Sequence, residues 1–365
     1  MKKHIIFFLN VVLGFHVFSK TINQDTTKII SPILQNTKIS GQWFLAYRYE
    51  EQDTVTYNRF LLRRTYLTIK SKLTKNLSAR ITQDMTLDEE GNDMGNIEIR
   101  LKYLYMSYSI PDFAFFSKPY FEIGLVHRPW LDFEEHINTY RVQGTMAMER
   151  FHLFNSAGLG VSFFTMIGQK MNNSFTKSVN NHYAGQYGSF SIGIYNGGGY
   201  HAMENNRSKN IEYRLSLRPF PSKLPGLQIS YFGISGKGNI PEQPDFMLHN
   251  GFLSYENKRF TITGQYFSGV GNSSGTLLID TLFNADEFVG YSAFTEVKIP
   301  EIKMATFFRY DHFETSHTNE SKNIIIGGIA YKFTQKSKLI LDFSSRNSGD
   351  NKSDFFIEVA LEVHF

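Results

Sequence analysis

Three stretches carry residue types that could do chemistry, and each chemistry has its own requirement. Gly271-Asn272-Ser273-Ser274-Gly275 matches the G-x-S-x-G spacing of a nucleophilic serine. That motif needs a strand-turn-helix setting, whereas this one lies in a Gly/Ser run with no helical pattern after it. A small-residue loop is the better reading. Gly197-Gly198-Gly199 lacks the Lys-Ser/Thr that completes a phosphate loop, so it reads as a loop tip. His312 and His317, with Asp311 and Glu314, could ligate a metal at a strand end. Without cysteines or tighter His spacing an exposed loop edge is expected there. No Ser-His-acid set can be nominated, so no catalytic residues, metal or cofactor are predicted.

A fourth stretch carries charge rather than a reactive group. Residues 129–158 hold Asp132, Glu134, Glu135, Arg141, Glu149 and Arg150 among Trp130, Phe133 and Tyr140, and Arg128 launches them. Long unpatterned loops are functional or disordered, and bulky aromatics argue for order. In a water-filled pore, low-dielectric walls focus the field and charged groups at the narrowest point set ion selectivity. These seven charged residues are therefore the candidate constriction. The expectation is that basic and acidic groups face each other across the lumen. The alternative is that Arg141 and Arg150 merely pin the loop to the wall through carboxylates.

Such a loop needs a barrel around it, and the strand pattern supplies one. In Phe355–Phe365, FFIEVALEVHF, Phe355, Ile357, Val359, Leu361, Val363 and Phe365 share one parity, while Phe356, Glu358, Ala360, Glu362 and His364 share the other. Successive strand side chains point to opposite faces, and the run matches the roughly 9–11 residues of a tilted membrane-spanning strand. A Lys or Arg facing lipid near the midplane costs about 2–4 kcal/mol, so charges should keep to one parity. They do so in 39–50, 77–84, 97–105, 211–218, 289–298, 303–311 and 338–346. Arg48, Arg80, Arg100, Lys102, Arg214 and Arg309 are thereby predicted to face the lumen, and Tyr103 and Tyr105 the lipid. The adjacent Arg63 and Arg64, and both parities of Met247–Tyr255, resist assignment. Short turns alternate with longer polar segments such as Gln52–Asn58, which describes an up-and-down all-β transmembrane barrel of about sixteen strands. Gln169–Gln186 is far longer than the other short-side connections, and the pattern offers no reason for it.

Composition agrees with this. Aromatics reach 15%, with 34 Phe and 20 Tyr, as expected of lipid-facing girdles. Lys2 and Lys3 precede an apolar run to Phe18 that suits a signal peptide over 1–19, followed by a polar lead-in over 20–37 and the barrel over 38–365. The formal charge of +4 includes Lys2 and Lys3, so a nucleic-acid partner is not expected. There is no cysteine, hence no lipoprotein acylation site and no disulfide framework.

The segments GLVHRPWLDFEEH, YRVQGTMAMER and NSAGLGV resemble the outer-membrane porins of the phosphate-selective porin O and P family in its broad sense. The resemblance implies a sixteen-stranded barrel, a homotrimer, and a third external loop folded into the pore. It implies passage of small hydrophilic solutes or ions, phosphate among them, across the outer-membrane lipid of a Gram-negative bacterium. A terminal aromatic such as Phe365 resembles the insertion signal of outer-membrane barrels. Glu98, Glu122, Glu212, Glu296, Asp311, Asp342, Glu358 and Glu362 share the inward parity with the basic residues, and Ser156-Ala157 stands where the phosphate-selective members would carry charge. A barrel enzyme would need a Ser, His and acid together at the wall. A secreted carbohydrate-binding β-protein would not need strands of this length.

Overall fold

The computed structural model describes residues 35–365 apart from 53–54, 89–93, 201, 335 and 350–352. The expected signal peptide and nearly all of the lead-in lie outside the described residues. Sixteen strands follow one another round a closed antiparallel ring. They are β1 (Thr37–Gln52), β2 (Val55–Lys72), β3 (Leu77–Leu87), β4 (Ile97–Ser109), β5 (Phe116–His127), β6 (Ala157–Ile167), β7 (Gly188–Tyr195) and β8 (Asn210–Leu217). Then come β9 (Leu227–Lys237), β10 (Asp245–Glu256), β11 (Phe260–Val270), β12 (Glu287–Ile299), β13 (Met304–Thr315), β14 (Ser321–Lys332), β15 (Lys338–Ser348) and β16 (Ser353–His364).

Closure depends on one glycine. β1 pairs with β16, with Gln42 opposite His364 and Gln52 opposite Asp354. Beyond that ladder Gly41 and Phe365 exchange two backbone hydrogen bonds of 3.1 Å. The Phe365 ring lies over Gly41, where a Cβ would collide with it, and meets Trp43 edge-on at 5.5 Å.

The parity rule separates the faces. On β16, Ile357 and Val359 are each 43% exposed on the outside, whereas Glu358 and Glu362 are buried on the inside. Asn250, Phe252 and Ser254 of β10 are buried, while Met247 and Leu253 face outward, which resolves the strand that sequence could not assign. Its inner face mixes Phe246, Leu248 and Phe252 with Asn250 and Ser254, which is why neither parity is cleanly polar.

Two bulges move the basic residues. Register along β1 and β2 jumps between Phe44, opposite Arg64, and Leu45, opposite Leu62. Arg63 is therefore the extra residue. Phe60 remains outside, its ring tilted against Tyr47 at 4.9 Å. Arg63 and Arg64 both reach inner partners, Glu358 and Tyr66. A second jump sets Thr82 opposite Tyr103 and Gln83 opposite Leu101, so Lys102 bulges. Here the expected parity fails. Tyr103 is 7% exposed on the lumen side, and Leu104 and Met106 take over the outer face. Tyr105 follows Tyr103 inward, its ring 5.4 Å from that of His127.

The polar segment Gln52–Asn58, expected as a loop, is mostly strand, because β1 and β2 continue to within two residues of each other. Residues 128–156 fold into the lumen, carrying α1 (Leu131–Glu135) and α2 (Ala147–Arg150). The unexplained connection Gln169–Gln186 carries α3 (Asn173–Ser178), whose first turn is capped by Asn172 accepting from the Phe175 N–H at 2.9 Å.

Candidate functional site

The in-folded loop is seated by aromatics on one half of the barrel. Trp130, fully buried, stacks on Phe232 of β9 at 5.5 Å and meets Phe252 of β10 edge-on at 5.1 Å. Tyr140 stacks on Phe307 of β13 at 4.2 Å, and Phe151 on Phe313 at 5.0 Å. The inner wall of β9 to β14 thus has an apolar, dry face made for the loop. The wall also grips the loop's carbonyls. Arg214 Nε donates to Pro129 O at 2.9 Å and Lys338 Nζ to Thr139 O at 2.6 Å, and the Tyr140 hydroxyl donates to Glu296 at 2.8 Å.

Most of the predicted constriction charges are paired. Arg128 and Glu212 form an ion pair with neither side chain exposed to water. Arg150 pairs with Asp311. Arg141 Nη1 lies 2.6 Å from Glu135 and its Nη2 4.0 Å from Glu149. Glu134 accepts from the Trp130 indole at 2.8 Å and Gln265 at 3.1 Å. Burial pushes the Glu134 carboxyl up to about 7, against the pull of Arg309 and Trp130. Arg128, Glu134 and Arg150 therefore contact the wall directly. Arg214 and Arg309 point inward as expected but lie buried beneath the loop, Arg214 packed on Phe133 at 4.3 Å.

The opposite half of the lumen is basic. Asp132, Glu135, Arg141 and Glu149 form the partly exposed edge of the loop. Burial works against the charge on Glu149, but Arg141, Arg64 and Lys102 hold its pKa below the usual carboxylate range. Arg64 and Lys102 thus belong to the wall that this edge faces. On that wall Arg64 donates to the Tyr66 hydroxyl at 3.3 Å and Lys102 to the same oxygen at 3.2 Å. Arg80 donates to Thr82 at 2.9 Å, lies 2.9 Å from His127 Nε2, and covers the Tyr103 ring at 4.4 Å. Among the described residues none of these three cations has a carboxylate within 4.0 Å. Arg48 and Arg63 share Glu358, and Arg100 lies 3.5 Å from Glu98.

The segment between β6 and β7 rises from the short-turn end to meet the loop. Tyr183 donates to the Asp132 carboxylate. The rings of His182 and His136 lie 3.8 Å apart. Asn180 donates to His136 O and to Glu256, each at 3.0 Å. Burial would raise the Asp132 pKa, but His136, His127 and the Tyr183 hydroxyl hold it well below the usual range. Two chain segments from opposite ends of the barrel therefore clasp inside it.

Sequence reasoning missed this clasp, both bulges and the wall partners Glu212, Asp311, Glu296 and Lys338. The apolar alternation of Leu104, Met106 and Tyr108, out of phase with Ile97, Ile99 and Leu101, was the available signal for the second bulge. The motif-like stretches serve the loops. Ser273 N donates to Leu153 O at 2.9 Å, His317 hydrogen-bonds Asp286 and His312 hydrogen-bonds Asn323. Among the described residues, no three His, Asp or Glu side chains are placed to hold a metal ion.

A closed sixteen-strand barrel, apolar outside and charged inside, with one loop folded into the lumen, is the architecture of the outer-membrane porins of Gram-negative bacteria. Solved structures share it. An anion-selective porin from Comamonas acidovorans is 10% identical with a TM-score of 0.61, the match covering 90% of this chain and 99% of that one. OmpF of Salmonella typhi, in complex with daunomycin, is 9% identical with a TM-score of 0.59, over 90% and 97%. The outer-membrane channel DcaP of Acinetobacter baumannii is 10% identical with a TM-score of 0.58, over 90% and 97%. At such identities the likeness is one of fold. No protein-family model matches the chain, and no curated protein matches it by sequence.

Proposed function

We propose that this chain is a passive outer-membrane channel for small hydrophilic solutes, with a modest preference for anions and no catalytic activity. The observation that carries this reading is a group of lumen cations, Arg64, Arg80 and Lys102, that have no carboxylate within 4.0 Å among the described residues. An ion-paired arginine presents little net field, whereas an unpaired one in a low-dielectric channel attracts counter-ions. The acidic loop edge, Asp132, Glu135 and Glu149, keeps the preference modest. Phosphate as a solute rests on the sequence resemblance of the loop segment, and fits the same three cations. A homotrimer is the corresponding proposal for assembly. OmpT of Vibrio cholerae, 11% identical, is described in a trimer form. In the present chain the ladder between β2 and β3 begins only at Thr65, so that residues 55–64 have no ladder partner on that side among the described residues, an edge that could take a neighbour.

The test is the reversal potential across a planar bilayer in a salt gradient. Replacing Arg64, Arg80 and Lys102 together by Gln should move it toward cation preference with conductance little changed. Unchanged selectivity would sink the proposal.

A further inference from the structure

A lysine-lined cleft outside the lumen site lies at the rim where the short turns gather. It has a volume of about 460 Å³ and is lined by Lys258, Lys298, Lys303 and Lys332, with Pro300, Met304 and Phe333 on its apolar side. The turn after β12 forms its centre. Pro300–Ile302 make one 3-10 turn, and Lys303 follows with φ +57°.

The charges do not cancel. Glu296 is engaged by Lys332 at 3.1 Å, Lys298 at 3.6 Å and the Tyr140 hydroxyl. Lys298 also donates to Thr261 at 2.9 Å. Lys258 and Lys303 are exposed, and among the described residues no acceptor holds their ammonium groups. The nearby Glu301 is taken by Arg259 at 2.9 Å. Two ammonium groups therefore stand free over a cleft whose other wall is hydrocarbon.

That hydrocarbon continues onto the membrane face. Met304 pairs with Ile299 and Tyr331, which point outward and are 43% and 46% exposed. A free phosphate would use the lysines and gain nothing from this apolar wall. A phosphodiester carrying acyl chains would use both, and basic pockets at a membrane interface recognise anionic headgroups in this way. We propose that the cleft binds the phosphodiester headgroup of an anionic glycerophospholipid of the periplasmic leaflet. Lys258 and Lys303 supply the charge, and Met304 and Phe333 guide the acyl chains outward. This goes beyond the channel reading and is independent of its selectivity.

The experiment is native mass spectrometry of the full protein in neutral detergent with phosphatidylglycerol or phosphatidylcholine added. The charge variant is Lys258→Gln with Lys303→Asn, asparagine being at ease at positive φ. A basic residue near an anionic interface is worth about fivefold in binding. Retention of phosphatidylglycerol should therefore fall about twenty-five-fold in the variant, with phosphatidylcholine unaffected and Lys258→Arg with Lys303→Arg restoring the wild-type value. Lys258→Gln alone, in an exposed turn, should show about a fivefold loss, and serves if the double variant fails to fold. Equal retention by wild type and variant would overturn the proposal. Displacement of the lipid by inorganic phosphate at comparable concentration would reassign the cleft to a soluble anion and overturn the lipid assignment.

Discussion

The ion pair between Arg128 and Glu212 fixes the point where the pore loop leaves the wall, and its removal should be read in the loop rather than in the barrel. Neither side chain is exposed. Arg128 Nε reaches Glu212 at 2.7 Å, and its guanidinium also packs on Phe154 at 4.9 Å. Arg128→Met leaves the Glu212 carboxylate buried without its partner, and its Oε2 already lacks any donor, since Arg128 bonds only Oε1. Stranding one member of a buried pair costs about 3–5 kcal/mol, or roughly two to three and a half decades in an equilibrium constant. The barrel ladder around Glu212 is continuous, with Gly193 on one side and Ile234 on the other. The cheapest relief is therefore to lift the first limb of the loop and admit water. Single-channel recordings of Arg128→Met should show frequent flicker to a larger conductance, with gel heat-modifiability retained. The double change Arg128→Met with Glu212→Leu removes both charges and fills the space with hydrocarbon, which for buried pairs is neutral or stabilising by about 1–4 kcal/mol. Its recordings should be quiet. A double variant as noisy as the single one would show that shape, and not the stranded charge, holds the loop, and would refute the reasoning.

Leu361→Arg should assemble far worse than Glu362→Arg, since only the first places charge in lipid, at a cost of about 2–4 kcal/mol; folded yield in membrane fractions checks this, and equal yields would refute it. Gly41→Val should displace the Phe365 ring and, like deletion of Phe365, should reduce outer-membrane assembly, with the protein then found in the periplasm; normal levels of heat-modifiable protein would count against the closing role of that contact. Burial and the neighbouring His136 hold His182 down to about 4, with Lys336 and Lys70 adding to the effect and Asp132 opposing it. Released from the clasp, His182 would titrate near its ordinary 6.5 and bind more protons, so the clasp is fully stable above that pH and weakens as pH falls toward 4. Channel noise should rise over that window in wild type and rise less in His182→Gln; identical pH profiles would exclude this histidine as the cause.

The strand faces were legible from sequence wherever one face meets lipid and the other meets charge, because a misplaced Lys or Arg is penalised strand by strand. β8, β12, β13, β15 and β16 were read in this way, and so was the inward direction of Arg214 and Arg309. Legibility ended where the inner face is apolar, as on β10 with Phe246 and Phe252, because alternation vanishes when both sides of a strand are dry. It ended too at Arg63 and Lys102, since a bulge shifts parity at a single residue and announces itself only in the strand beyond. The loop's charges were visible, but their partners were not. Glu212 lies 84 residues from Arg128, and Asp311 161 from Arg150, and only closure of the ring sets them side by side. Sequence alone therefore determined a membrane barrel with charge inside. The tertiary structure decided which cations are neutralised by a carboxylate and which, Arg64, Arg80 and Lys102 among them, have none within ion-pair distance, because pairing depends on distance across the lumen and not on position along the chain.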